Sequence, residues 1–213
     1  MPGAVDGGIA RGFTGKIPAR GDFVHAGLPR DFTDPWDDWQ SLVIAGSRTL
    51  MGETWLDAFL EAPVWRFLLS PGLCGPRAAV GLLMPSVDKV GRYFPLTFAA
   101  LPDQGTPRAE DWDPWLDAVE TLGRLALDED APPERLTPPP CPTLPSLPRG
   151  TTSLWWTEGG PRVEPARLSL TILPDATRFA SMLGHPALGH SALGHSALGH
   201  PALGHPAPTE RTS

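Results

Sequence analysis

Arg66-Phe-Leu-Leu-Ser-Pro-Gly-Leu-Cys-Gly-Pro-Arg-Ala-Ala-Val-Gly-Leu-Leu-Met-Pro-Ser-Val-Asp-Lys-Val-Gly-Arg-Tyr-Phe-Pro95 is the stretch on which the fold turns. With its flanks it holds three apolar runs of strand length, Val64 to Ser70, Ala78 to Met84 and Tyr93 to Ala100, separated by Pro and Gly. The breaks are too short for crossover helices, so the runs should pair antiparallel with their neighbours in sequence. The middle run is apolar on both faces, which calls for a layer on each side of the sheet. The second break gathers Ser86, Asp88, Lys89 and Arg92, placing a charged loop at one end of the sheet, as a site or as a latch.

Helices to cover the sheet are legible on either side. Upstream, Thr33 or Asp34 can cap a helix with Pro35 at its first position, and Trp36, Trp39, Val43, Ser47 and Leu50 recur at three and four residues before a stop at Gly52. Asp34, Asp37 and Asp38 would then meet the helix dipole in the first turn. A shorter helix is expected from about Glu53 to Glu61. Before both, Gly12 to Phe23 reads as a short strand and a tight loop. Downstream, Asp111 or Asp113 caps a helix with Pro114 at its start and Trp115, Val119, Leu122 and Ala126 as its buried stripe. Eight prolines between Ala131 and Pro148 predict an extended surface connection. Ser153 to Thr157 and Arg162 to Glu164 read as a hairpin, Leu168 to Leu173 as a further strand, and Asp175 to Leu183 as a final helix. The fold class is therefore α+β, a mainly antiparallel sheet flanked by helices in α/β/α layers. One domain spans residues 1–183. The Trp stripes on the helices are read as core anchors.

Beyond Leu183 the unit Leu-Gly-His-Pro/Ser-Ala runs five times. A period of five gathers no single face on a helix and flips faces in a strand, so residues 184–213 are expected to be a disordered tail. Its histidines, His185, His190, His195, His200 and His205, could hold a soft divalent ion, but the equal spacing is unlike an ordered zinc site. No metal site is assigned to them.

Composition excludes several functions. The chain has 213 residues, 17 Lys plus Arg against 24 Asp plus Glu, and a formal net charge of −7, which does not suit a nucleic-acid binder. Met1 to Arg11 has no basic segment followed by an apolar one, so no signal peptide is expected, and no apolar run is long enough to span a bilayer. Cys74 and Cys141 have no C-x-x-C spacing and fit a reducing compartment. The expected location is cytoplasmic.

No catalytic constellation is complete. Gly15-Lys16 fails as a phosphate loop because Ala10 and Ile17 stand where a Gly and a Ser/Thr are needed. Ser86-Val-Asp-Lys89 matches S-x-x-K but lacks the companion motifs, and His25 is the one histidine before the tail. A hydrolase using Ser86 with Lys89 or His25 is the alternative function. Arg66 interrupts an apolar run and, if it points inward, needs a carboxylate; Asp22 and Asp88 are the expected partners.

Gly12-Phe-x-Gly-Lys-x-Pro-x-Arg-Gly-Asp-Phe23, Leu28-Pro29, Trp36-Asp-x-Trp39, Ala62-Pro-x-Trp-Arg-Phe67, Pro85-Ser-Val-Asp-x-Val-Gly-Arg-x-Phe-Pro95 and Ser153-Leu-Trp-Trp-Thr157 occur in that order. Together they resemble the TagF (ImpM) proteins associated with bacterial type VI secretion. The resemblance covers about residues 12–183. It implies a cytoplasmic accessory regulator, not an enzyme, without cofactor. Such a protein acts after translation to repress assembly, and its partner is the forkhead-associated scaffold protein. The polar residues carried over as partner contacts are Lys16, Arg20, Asp22, Arg66, Asp88 and Arg92.

Overall fold

The computed structural model of the protein describes residues 5–6, 9–102, 109–128, 131–142 and 152–185. Eight strands, β1 (Val5–Asp6), β2 (Ile9–Gly15), β3 (Val24–Ala26), β4 (Trp65–Leu69), β5 (Ala79–Met84), β6 (Leu96–Leu101), β7 (Ser153–Thr157) and β8 (Ala166–Leu170), form one sheet. Their order is β1-β2-β6-β5-β4-β7-β8, with β3 also paired to β2. Every pairing is antiparallel. The three apolar runs are the adjacent strands β4, β5 and β6 at the centre, as their short breaks require. The third run differs at its start: Tyr93 to Pro95 belong to the loop, and β6 opens at Leu96.

Period-two alternation divides the core. Phe67, Leu69, Ala79, Leu83, Ala99, Leu101, Trp155 and Leu168 face one layer; Leu68, Val80, Leu82, Met84, Phe98, Ala100 and Trp156 face the other. The first layer is α1 (Arg30–Met51), α2 (Trp55–Leu60) and α4 (Ala176–Met182); the second is α3 (Asp113–Ala126). All six residues of β5 are buried, which explains why its sequence shows no polar face. The Trp residues are core anchors: all eight are buried. Trp36 lies against Phe67, Trp39, Trp155 and Phe32 and donates its Nε1–H to Thr97 Oγ1 at 3.0 Å.

α1 begins a turn earlier than its sequence suggests. Pro29, not Thr33 or Asp34, is the N-cap, and Pro35 lies inside the helix. The buried Phe32 stacks on Trp36 four residues on, carrying the apolar stripe back by a turn. Pro35 leaves the Asp31 carbonyl without its helical donor, and Gly75 packs against that oxygen. Asp31 alone occupies the first turn, so Asp34 and Asp37 fall in the second and Asp38 opens the third. Asp37 is partly buried, and burial, with Asp34 and Asp38, pushes its carboxyl from 3.8 up to about 6 against the opposing pull of His25. The native state then holds a proton that the unfolded chain has lost, so this group's contribution to stability falls as pH rises from about 4 to 6. Asp37→Asn is expected to raise the urea midpoint at pH 7 and to remove that slope; an unchanged midpoint at pH 7 would refute it.

Two corrections apply to the C-terminal third. Residues Arg162 to Glu164 are not a strand: Gly160 and Val163 form an isolated bridge inside the connection, and the partner of β7 is β8. The Pro-rich connection is not merely a surface link. Its Pro133–Arg135 segment makes one 3-10 turn, Leu136 and Pro138 are buried, and the Pro138 and Pro139 carbonyls accept from Arg11 Nε and Trp115 Nε1. α4 follows the prediction closely, with the Asp175 side chain capping its N-terminus. At its C-terminus Gly184 has φ +92°, and the N–H groups of Gly184 and His185 return to the Ser181 and Ala180 carbonyls. This closes the helix as a Schellman motif made from the first repeat unit. The expectation for the rest of the tail lies outside the described residues.

Candidate functional site

Five of the six residues singled out in the sequence meet where β2 runs out beside the 85–95 loop. β2 ends at Gly15, whose Cα lies so close to the Pro95 carbonyl that an added Cβ would stand 2.2 Å from its oxygen; its φ of +137° suits glycine alone. The next residue, Lys16, therefore enters the loop from beneath. Its Nζ lies 2.9 Å from Asp88 Oδ2, and the side chains are 8% and 0% exposed.

The 85–95 loop is folded around that carboxylate. Val87 and Tyr93 bridge, and the Asp88 and Arg92 backbones bond across the turn. Asp88 Oδ1 accepts the N–H groups of Val90 and Arg92 at 3.1 and 2.9 Å; Oδ2 accepts Arg92 Nε at 2.7 Å as well as Lys16. Burial alone would raise the Asp88 carboxyl, but the Arg92 N–H, Lys16, the Arg92 guanidinium and the Val90 N–H outweigh it and hold the group well below its ordinary 3.8.

The outer half is open. Arg92 is 56% exposed, donates to the Gly21 carbonyl and lies 3.8 Å from the fully exposed Asp22. Arg20 takes the Lys89 N–H on its carbonyl at 2.9 Å and faces Glu134 of the Pro-rich connection at 3.8 Å, both side chains exposed. Two apolar residues that sequence reasoning missed complete the surface. Val90 is 67% exposed at the tip, and Phe23, 47% exposed, packs edge-on against Phe94 with Lys16 5.2 Å from its ring centre. The available signal was their position: a Val between Lys89 and Gly91, and a Phe after Asp22, are apolar groups in stretches otherwise polar.

Arg66 is not part of this cluster. It sits on β4, three strand spacings from β2, roughly 14 Å at about 4.8 Å each, and on the face covered by α3. Its partners are Asp117 at 2.6 Å and Glu120 at 3.0 Å, with Asp113 at 3.7 Å, in place of the expected Asp22 or Asp88. The residues of the alternative hydrolase are placed as follows. Ser86 is buried and its hydroxyl donates to the Lys16 carbonyl at 2.7 Å; Lys89 is exposed; His25 is exposed on β3, opposite Thr14. Among the described residues no group of three or more His, Cys, Asp or Glu could hold a metal ion, and no helix is long and apolar enough to cross a membrane.

Residues 12–138 match the family model of the TagF N-terminal domain, Type VI secretion system-associated. The chain belongs to the TagF family. The TagF match contains both halves of the cluster, from Lys16 to Arg92. The TagF chain is also similar to the crystal structure of PA0076 from Pseudomonas aeruginosa PAO1, at 35% identity and a TM-score of 0.71, over 82% of this chain and 94% of that one. No curated protein sequence matches. Type VI secretion is thus the setting in which the TagF surface must be understood.

Proposed function

We propose that the chain is a cytoplasmic accessory protein that represses type VI secretion after translation. It docks onto a component of the apparatus, the forkhead-associated scaffold protein, and carries out no bond-breaking of its own. What supports this is the division of labour around Asp88. A saturated buried network fixes the loop from below, while Val90, Phe23, Arg92, Asp22 and Arg20 stand out above it. Apolar and charged groups on a rigid base lose little side-chain and loop entropy on binding, as a docking surface requires.

The test is a pull-down of the scaffold protein by the wild-type chain and by Val90→Asp and Arg92→Glu, alongside secretion of the tube protein in a deletion strain. Deletion should raise secretion and the wild-type gene should restore repression. Val90→Asp should fail on both counts at an unchanged melting temperature, because the residue is mostly exposed. Absence of scaffold binding together with unaltered secretion would sink the proposal.

A further inference from the structure

The second face of β7 and β8 carries a cleft remote from the Asp88 cluster. α3 packs on β5 and β6. On that side of the sheet Arg66, Trp156 and Arg167 stand in one cross-strand row, in register through β4, β7 and β8. The row one residue over, Phe67, Trp155 and Leu168, points to the opposite layer and is buried. Between α3 and the β7–β8 hairpin lies a cleft of about 430 Å³, lined by Arg66, Glu110, Asp113, Asp117, Trp156, Glu158 and Arg167. That is room for one long side chain and its backbone, at the lower end of the range for binding clefts.

Two independent features define what fits. The first is an unused donor. Trp156 is only 9% exposed, and its indole N–H meets no acceptor among the described residues; that of the buried Trp112 meets none either, whereas Trp36, Trp39, Trp55, Trp65, Trp115 and Trp155 each donate to one. A nearly buried indole ordinarily finds a partner, and a peptide carbonyl lying in the cleft would supply it. The second is the balance of charge. Arg66 is already matched by Asp117 and Glu120, so an anion would have to displace them. Asp113 and Asp117 remain more than half exposed, and Glu158 is exposed and in no ion pair among the described residues. Arg167 lies over the Trp156 ring at 6.0 Å, at the limit of a cation–π contact, and can yield that face to another cation. The chain's net charge of −7 would also steer a basic partner toward it.

We infer that this cleft receives an arginine or lysine side chain from an extended segment of a partner protein. The cation lies between Asp113, Asp117 and Glu158 and over Trp156, whose N–H bonds the segment's backbone carbonyl. The site is separate from the surface of the proposed function and stands or falls without it.

The probe is a short fluorescein-labelled Arg-Gly repeat peptide, with a Glu-Gly peptide beside it, titrated with the full chain and followed by anisotropy. The Arg-Gly peptide should bind and the Glu-Gly peptide should not, with affinity falling as salt rises. Glu158→Arg should melt like the wild type and weaken binding by on the order of tenfold or more. Trp156→Phe, which keeps a ring and loses the donor, should weaken it several-fold, while Arg92→Ala should leave it unchanged. Absence of binding, equal binding of the Glu-Gly peptide, or undiminished affinity in Glu158→Arg each overturns the inference.

Discussion

Asp88→Ala is expected to lower the unfolding free energy by about 3–5 kcal/mol in urea titrations, because it strands a buried ammonium without its counter-charge. Lys16 has almost no path to water, and the carboxylate it loses also organises the 85–95 loop through Arg92 and Val90. Replacing both partners, Lys16→Met with Asp88→Leu, should recover a large part of the loss, since an apolar pair of similar volume needs no compensation. The Val90 and Arg92 N–H groups, at the exposed end of the loop, would turn to water. The pH dependence gives a second check. The folded-state carboxyl lies below its unfolded value, so its stabilisation is complete above about pH 4 and is lost as pH falls from there toward the folded value. The acid limb of a stability profile should therefore be shallower in Asp88→Ala than in the wild type. Stability within about 0.5 kcal/mol of wild type in the single variant would show that the network does not hold the loop.

Trp36→Ala should cost a similar amount, about 3–5 kcal/mol, and lower the melting temperature by on the order of 10 °C. The indole is wholly buried and touches rings from both α1 and the sheet, so its removal opens a cavity that neighbours on rigid strands cannot close. Trp36→Phe separates packing from hydrogen bonding. Thr97 Oγ1 keeps the Gln40 Nε2 donor at 3.2 Å, so loss of the indole N–H alone should cost only about 1 kcal/mol. Equal losses in the two variants would mean that the hydrogen bond, not the ring, holds α1 to β6.

The central strands were legible because their apolar runs are short and bounded by Pro and Gly, and α3 because its stripe keeps helical spacing. The beginning of α1 was hidden by Pro35, which looks like a first-turn residue yet sits a turn inside, past a stripe that Phe32 already opens. The partner of Arg66 could not be read at all. It depends on β4 lying three places from β2 and on α3 covering that face, a matter of topology and not of local pattern. For the same reason Lys16 and Asp88, 72 residues apart, were picked out separately but not as a pair. The β7–β8 hairpin was misread because an isolated bridge in its long connection imitates a returning strand.

The Pro-rich connection is gripped by its main-chain oxygens, and every amino acid brings one. Arg11 and Trp115 thus register the path of this segment and ignore its letters. Outside the buried Leu136 and Pro138, substitutions that preserve a stiff course can accumulate there without loosening the hold. Relatives should then share the trajectory long after their spelling has diverged.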